Sequence, residues 1–168
     1  MFISSRSSLT RATTRAHIAR ACLEGIALQV LDVIGAMRDD DAAADAGAVW
    51  ALFLNTDGTV KGQQKITAGQ AGFAGSLDDY DHFAGAMANV GDLDRDGVTD
   101  IAVGAEHSLP GARGAVWNLF LNPDSTVKSH QRIGANDGNF RGPLDEIDAF
   151  GISIASMGDV NGDGITDL

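Results

Sequence analysis

Asp92, Asp94 and Asp96 alternate with other residues, Gly97 follows directly, and Asp100 closes the group. In a compact loop four carboxylates repel one another. At ~4 Å and an effective dielectric of ~20, each like-charged pair costs roughly 4 kcal/mol. A hard cation with oxygen ligands removes that cost, and flexible, oxygen-only coordination suits Ca2+. Gly97 is placed for a φ > 0 turn that folds the loop back on itself. The carbonyl of Val98 is then expected to face the ion, with Asp100 binding through both oxygens.

The loop recurs. Asp159, Asn161, Asp163, Gly164 and Asp167 repeat the pattern, and from Asp92 to Asp159 is 67 residues. A lone Asp/Gly turn is usually just solvated, but two oxygen-ligand sets at one spacing point to ion binding. The expected ligands are Asp92, Asp94, Asp96, Val98 and Asp100, and in the copy Asp159, Asn161, Asp163, Ile165 and Asp167. An EF-hand does not fit, because its loop needs an acid at the twelfth position, which from Asp92 is Val103. The residues after the loop, Ile101, Ala102 and Val103, read as a short buried strand rather than an exiting helix.

The elements that must position these loops repeat as well. Residues 47–55, GAVWALFLN, return as 114–122, GAVWNLFLN, again 67 residues on. Val, Trp and Phe at this density predict a strand buried on both faces. Residues 55–58 and 122–125 are turns. Residues 60–66 and 127–133 then return as polar, alternating edge strands. Phe73 and Phe140 follow, then Phe83-Ala84 and Phe150-Gly151. Small-residue strands over 85–90 and 152–157 feed the Asp loops. Each unit holds four short strands, the signature of propeller blades.

These residues resemble FG-GAP repeats, the blades of the integrin alpha-subunit propeller and its bacterial relatives. Phe150-Gly151 is the Phe-Gly element, degraded to Phe83-Ala84 one unit earlier. Gly104-Ala105-Glu106 and Gly35-Ala36-Met37 stand for the Gly-Ala-Pro element without its proline. The resemblance covers 32–168 and implies an all-β, incomplete β-propeller of about two four-stranded blades plus a partial one. It implies Ca2+ loops that stiffen blades rather than do chemistry, hence no enzyme. It further implies a secreted or cell-surface protein, serving adhesion or binding of a protein or glycan ligand. An accessory propeller portion of a larger secreted hydrolase, of phospholipase or polysaccharide-degrading type, is the alternative. Propellers close with ~4–8 blades, so the chain is expected to be part of a longer propeller, with approximate repeats over 32–100 and 101–167.

Composition sets the outer bounds. The 168 residues suffice for a domain with a sizeable core, and a net charge of −11 argues against nucleic acid. Cys22 is alone, which precludes an intrachain disulfide. Residues 1–31 carry four arginines before any acid and show weak helical periodicity. They read as an irregular or helical segment outside the repeats, with no clear signal peptide and no run long enough to span a membrane. Leu23–Ala27 stands where a first Asp loop belongs, so the first unit is expected to lack an ion site.

Other candidates carry less. Gly69, Gly72 and Gly75 lack the spacing of a phosphate cradle. His82, His107 and His130 lie in no nucleophile motif and read as surface residues. Asp39, Asp40, Asp41 and Asp45 form an acidic loop that a second ion or a basic partner could use, although charge runs are usually solvated. Trp50 and Trp117 read as blade core rather than a carbohydrate platform. A dockerin-like module, suggested by residues 158–164 alone, fails on the strand context.

Overall fold

A computed structural model describes residues 32–33, 46–106, 113–146 and 148–168. The segment 1–31, the Gly35-Ala36-Met37 element, the Asp39–Asp45 loop and His107 lie outside the described residues.

All regular structure among the described residues is strand. The seven strands are β1 Asp32–Val33, β2 Val49–Leu54, β3 Val60–Ile66, β4 Met87–Gly91, β5 Asp100–Ala105, β6 Ala115–Leu121 and β7 Val127–Gly134. They form two antiparallel sheets, ordered β1-β2-β3 and β4-β5-β6-β7. The polar return strands β3 and β7 lie at sheet edges, as their alternation predicts, and β5 is buried along its whole length.

Register exposes the repeat. Leu52 faces Asp32 in the first sheet, and its copy Leu119 faces Ile101 in the second. Asp32 therefore stands where Ile101 does, not where Asp100 does. The second sheet runs from Met87 to Gly134, so β4 and β5 join as a hairpin whose connection is the first Asp loop.

The sheets pack face to face. Alternation sends Ile101, Val103 and Ala105 of β5, with Trp117, Leu119 and Leu121 of β6, onto one face. There they meet Val49 and Ile66 of the first sheet and Phe73, Leu77 and Phe83 from the long β3–β4 connection. Phe73 stacks on Phe83 at 5.1 Å and meets Trp117 edge-on at 5.2 Å. One period later Phe140 stacks on Phe150, also at 5.1 Å. On the opposite face Val90, Ala102 and Val116 cluster with Phe150 and Ile154. One face of the second sheet is thus covered by Phe73 and Phe83 and the other by Phe150. Trp117 is core as expected; Trp50 is only half-buried.

Two expectations need correction. Residues 152–157 do not form a strand; only a bridge between Gly158 and Asp167 and a bond from Met157 N to Asp167 O occur there. The counterpart strand β4 pairs with β5, Met87 opposite Val103 and Ala88 opposite Ala102. Accordingly Met157 is 57% exposed, while its counterpart Val90 is 2% exposed. Nor are the histidines bare surface residues. His130 is half-buried against the rings of Phe73 and Trp117, and His82 Nδ1 lies 3.1 Å from Glu106 Oε1. The glycine-rich run is a packing loop: Ala71 O accepts from Val127 N, pressing it against the edge of the second sheet.

The two hairpin turns are copies down to single atoms. Asp57 Oδ1 accepts from Thr59 N and Oγ1, as Asp124 Oδ1 does from Thr126 N and Oγ1. The threonine hydroxyl first, and then its N–H, hold both carboxyls below the usual range. A depressed folded value makes this stabilisation complete above the unfolded value and lost as pH falls through the folded one. Asp124→Ala is therefore expected to destabilise the chain at neutral pH, with the difference from the parent shrinking in acid, below the ordinary aspartate range. Urea denaturation in both pH ranges measures it; a pH-independent difference would contradict the assignment.

Candidate metal centre

The first Asp loop is shaped by its own backbone. Gly97 has φ +88°, as its place in the sequence requires, and Arg95 has φ +63°. These left-handed residues turn successive N–H groups inward. Asp92 Oδ1 accepts from Asp96 N at 2.9 Å and its Oδ2 from Gly97 N at 2.7 Å. Asp96 Oδ1 accepts from Val98 N at 2.8 Å.

Asp100 is the anchor. It is fully buried at the start of β5, where its Oδ2 accepts from Leu93 N at 2.9 Å and its Oδ1 from Leu121 N at 3.0 Å. One donor belongs to the loop and the other to the end of β6, beside the β-bulge at Phe120/Leu121. Burial pushes the Asp100 carboxyl up; the N–H groups of Leu121 and Leu93 pull against that, and the charges of Asp94 and Asp96 add to it.

Carboxylate oxygens of Asp92, Asp94 and Asp100 lie within 4.8 Å of one another. Three of the expected ligands therefore converge. The Asp96 carboxylate stands outside this group, bonded to Val98 N and to Lys128 Nζ of β7. Lys128 Nζ also reaches Asp94 Oδ2, at 2.5 Å. Hydrogen bonds to Asp94 and Asp96 raise the Lys128 pKa, and the bond from Lys128, then that from Val98 N, lowers that of Asp96. Sequence reading missed Lys128, although it sits one period after Lys61 at the start of the same return strand.

The second loop copies the first. Asp159 accepts from Gly162 N, Asp163 N and Gly164 N; the Gly164 bond is the main cause holding its carboxyl below the usual range. Asn161 Oδ1 accepts from Asp163 N, and Asp163 Oδ1 from Ile165 N. Asp167 Oδ2 accepts from Val160 N at 2.9 Å, as Asp100 does from Leu93. Asn161 in place of Asp94 leaves this loop one carboxylate fewer, and Asp167 is half-exposed where Asp100 is buried.

The donor set fits a hard divalent cation. The converging groups are oxygens alone, with no histidine or cysteine in the cluster, the set that Ca2+ prefers.

Antiparallel sheets stacked face to face, with an Asp loop joining β4 and β5 of the second and a copy of that loop one period on, define the class. Comparison with known proteins shows what it resembles. The FG-GAP repeat model matches residues 83–119, which hold β4, the Asp loop, β5 and most of β6. The chain is 36% identical over 89 residues to integrin alpha-IIb of Homo sapiens, covering 53% of this chain and 8% of that protein. It is 31% identical over 126 residues to integrin alpha pat-2 of Caenorhabditis elegans, covering 74% and 9%. Residues 83–119 are thus an FG-GAP repeat, and the chain resembles integrin alpha subunits over up to three quarters of its length. It spans less than a tenth of the length of these two relatives. A short stretch of 36 residues is also 69% identical to the glycerol kinase of Rhodopirellula baltica, over 21% of this chain and 7% of that enzyme. So small a part of an enzyme transfers no activity. No helix among the described residues is long and apolar enough to cross a membrane.

Proposed function

We propose that this chain is a calcium-stiffened run of propeller blades from a cell-surface or secreted protein, where it serves ligand binding or adhesion and performs no catalysis. The observation that carries the reading is the convergence of Asp92, Asp94 and Asp100 within 4.8 Å inside an FG-GAP repeat. Asp92, Asp94, Asp96, Asp100 and the Val98 carbonyl would hold Ca2+ in the first loop. Asp159, Asn161, Asp163, Asp167 and the Ile165 carbonyl would hold it in the second. The ion supplies charge neutralisation; the chain's own residues supply the frame. Loop and sheet are coupled through Asp100, which ties Leu93 in the loop to Leu121 in β6, so an ion on Asp100 stiffens the sheet as well as the loop.

The integrin relatives favour a role in recognition, with the protein or glycan ligand contacting surfaces that the blades present. Calorimetric titration of the purified chain with calcium tests the metal part of the reading. The expected result is uptake at two sites, the first loop tighter. Extracellular calcium modules bind at ~10⁻⁴–10⁻³ M, and a site at ~10⁻⁴ M adds roughly 1.4 kcal/mol of stability in ~1 mM calcium. A chain that takes up no calcium and gains no thermal stability from it would overturn the reading.

A further inference from the structure

One cation is already built into the first loop. Lys128 leaves β7 immediately after Val127, whose buried side chain and N–H bond to Ala71 O pin the strand there. Val127 pairs with Leu121, the residue whose N–H holds Asp100. The end of the β6–β7 hairpin thus fixes both the anchor of the loop and the ammonium at its rim. Lys128 Nζ bonds Asp94 Oδ2 and Asp96 Oδ2 together. This leaves Asp96 apart from the cluster of Asp92, Asp94 and Asp100.

We propose that Lys128 is a tethered competitor for calcium that sets the affinity of the first loop. This inference rests on the calcium reading above. With no ion bound, the ammonium neutralises Asp94 and Asp96 and keeps the loop in shape. When Ca2+ takes those two carboxylates, Lys128 must give up both pairs and accept a divalent charge a few ångströms away. The competing charge makes the loop respond to calcium at a higher concentration than its carboxylates alone would set. The attachment of the lysine to the outer strand also links that threshold to the packing of the sheet edge.

The test compares calcium titrations of the parent, Lys128→Met, Lys128→Gln and Lys61→Met in one buffer of fixed ionic strength. Lys61 holds the equivalent position one unit earlier and is exposed, so its removal controls for the overall charge change. Two solvent-exposed ion pairs and one ammonium–calcium repulsion correspond to about tenfold in dissociation constant. Lys128→Met and Lys128→Gln are therefore expected to bind about tenfold more tightly at the first loop, and Lys61→Met within about twofold of the parent. In chelator, both Lys128 variants are expected to melt at a lower temperature than the parent, since Asp94 and Asp96 lose their counter-charge. Unchanged or weaker binding in the Lys128 variants, with the parent binding calcium, overturns this inference alone. A parent and variants that all take up none overturn the calcium reading and the inference with it.

Discussion

Asp100→Ala is expected to destabilise the chain by about 2–6 kcal/mol even in chelator, with no calcium present. The substitution removes a fully buried carboxylate that accepts two backbone N–H groups, Leu93 N and Leu121 N. Alanine returns no acceptor, so two donors are orphaned, at ~1–3 kcal/mol each. Asp100→Asn keeps one acceptor oxygen and is expected to fall between alanine and the parent. Asp167→Ala orphans Val160 N on a half-exposed loop where water can replace the carboxylate, and about 1 kcal/mol is expected. Calcium widens the contrast, because the ion's contribution at the first loop disappears with Asp100. Urea denaturation of the three variants and the parent, in chelator and in ~1 mM calcium, measures both parts. Equal losses at Asp100 and Asp167 would show that the β6 donor contributes nothing.

That result turns on a contact that the sequence does not display. The loop residues could be read from their alternation and from the copy at 159–167, and so could the strand that follows, because local spacing encodes both. The donor from Leu121 comes from 21 residues away, and Lys128 from 32 residues beyond Asp96. Spacing within a loop says nothing of such partners. The repeat did hold a clue, since Lys61 and Lys128 are one period apart on matching strands, but the first unit offers no Asp loop for Lys61 to complete. Strand placement succeeded wherever the partner strand is at hand, as for β2, β3, β5, β6 and β7. It failed at 152–157, whose composition resembles that of β4, because a strand is defined by its neighbour and not by its own residues. The histidines were misread for a related reason: His130 is polar in sequence, yet its strand lays the ring on Phe73 and Trp117.

Gly104→Ala carries the other large effect, and it probes what holds one blade to the next. Gly104 belongs to the Gly-Ala element of β5, pairs with Val116, and donates its N–H to Ala86 O. Its glycine is required for space: a Cβ there would lie 2.0 Å from the carbonyl oxygen of Gly151 and 3.4 Å from the Ala86 Cβ. Gly151 is the second residue of the Phe-Gly element of the next unit, and a Cβ on it would in turn lie 2.3 Å from Ala115 O. The two short motifs that mark the family are therefore the two halves of one contact, backbone against backbone across the blade interface. Neither half can yield as a flexible side chain would. Alanine at 104 must push the 150–151 segment outward, loosening the bond from Phe150 N to Arg113 O and opening the cluster that Phe150 and Ile154 make with Val90, Ala102 and Val116. Overpacking against side chains costs ~1–3 kcal/mol, and a rigid backbone partner sets the expectation at the upper end, about 3 kcal/mol. Hydrogen exchange locates the damage: the Phe150 amide should lose protection while those of β2 and β3 keep theirs. A Gly104→Ala chain with the parent's denaturation midpoint and an equally protected Phe150 amide would show that the Gly-Ala and Phe-Gly elements do not bear on each other in solution.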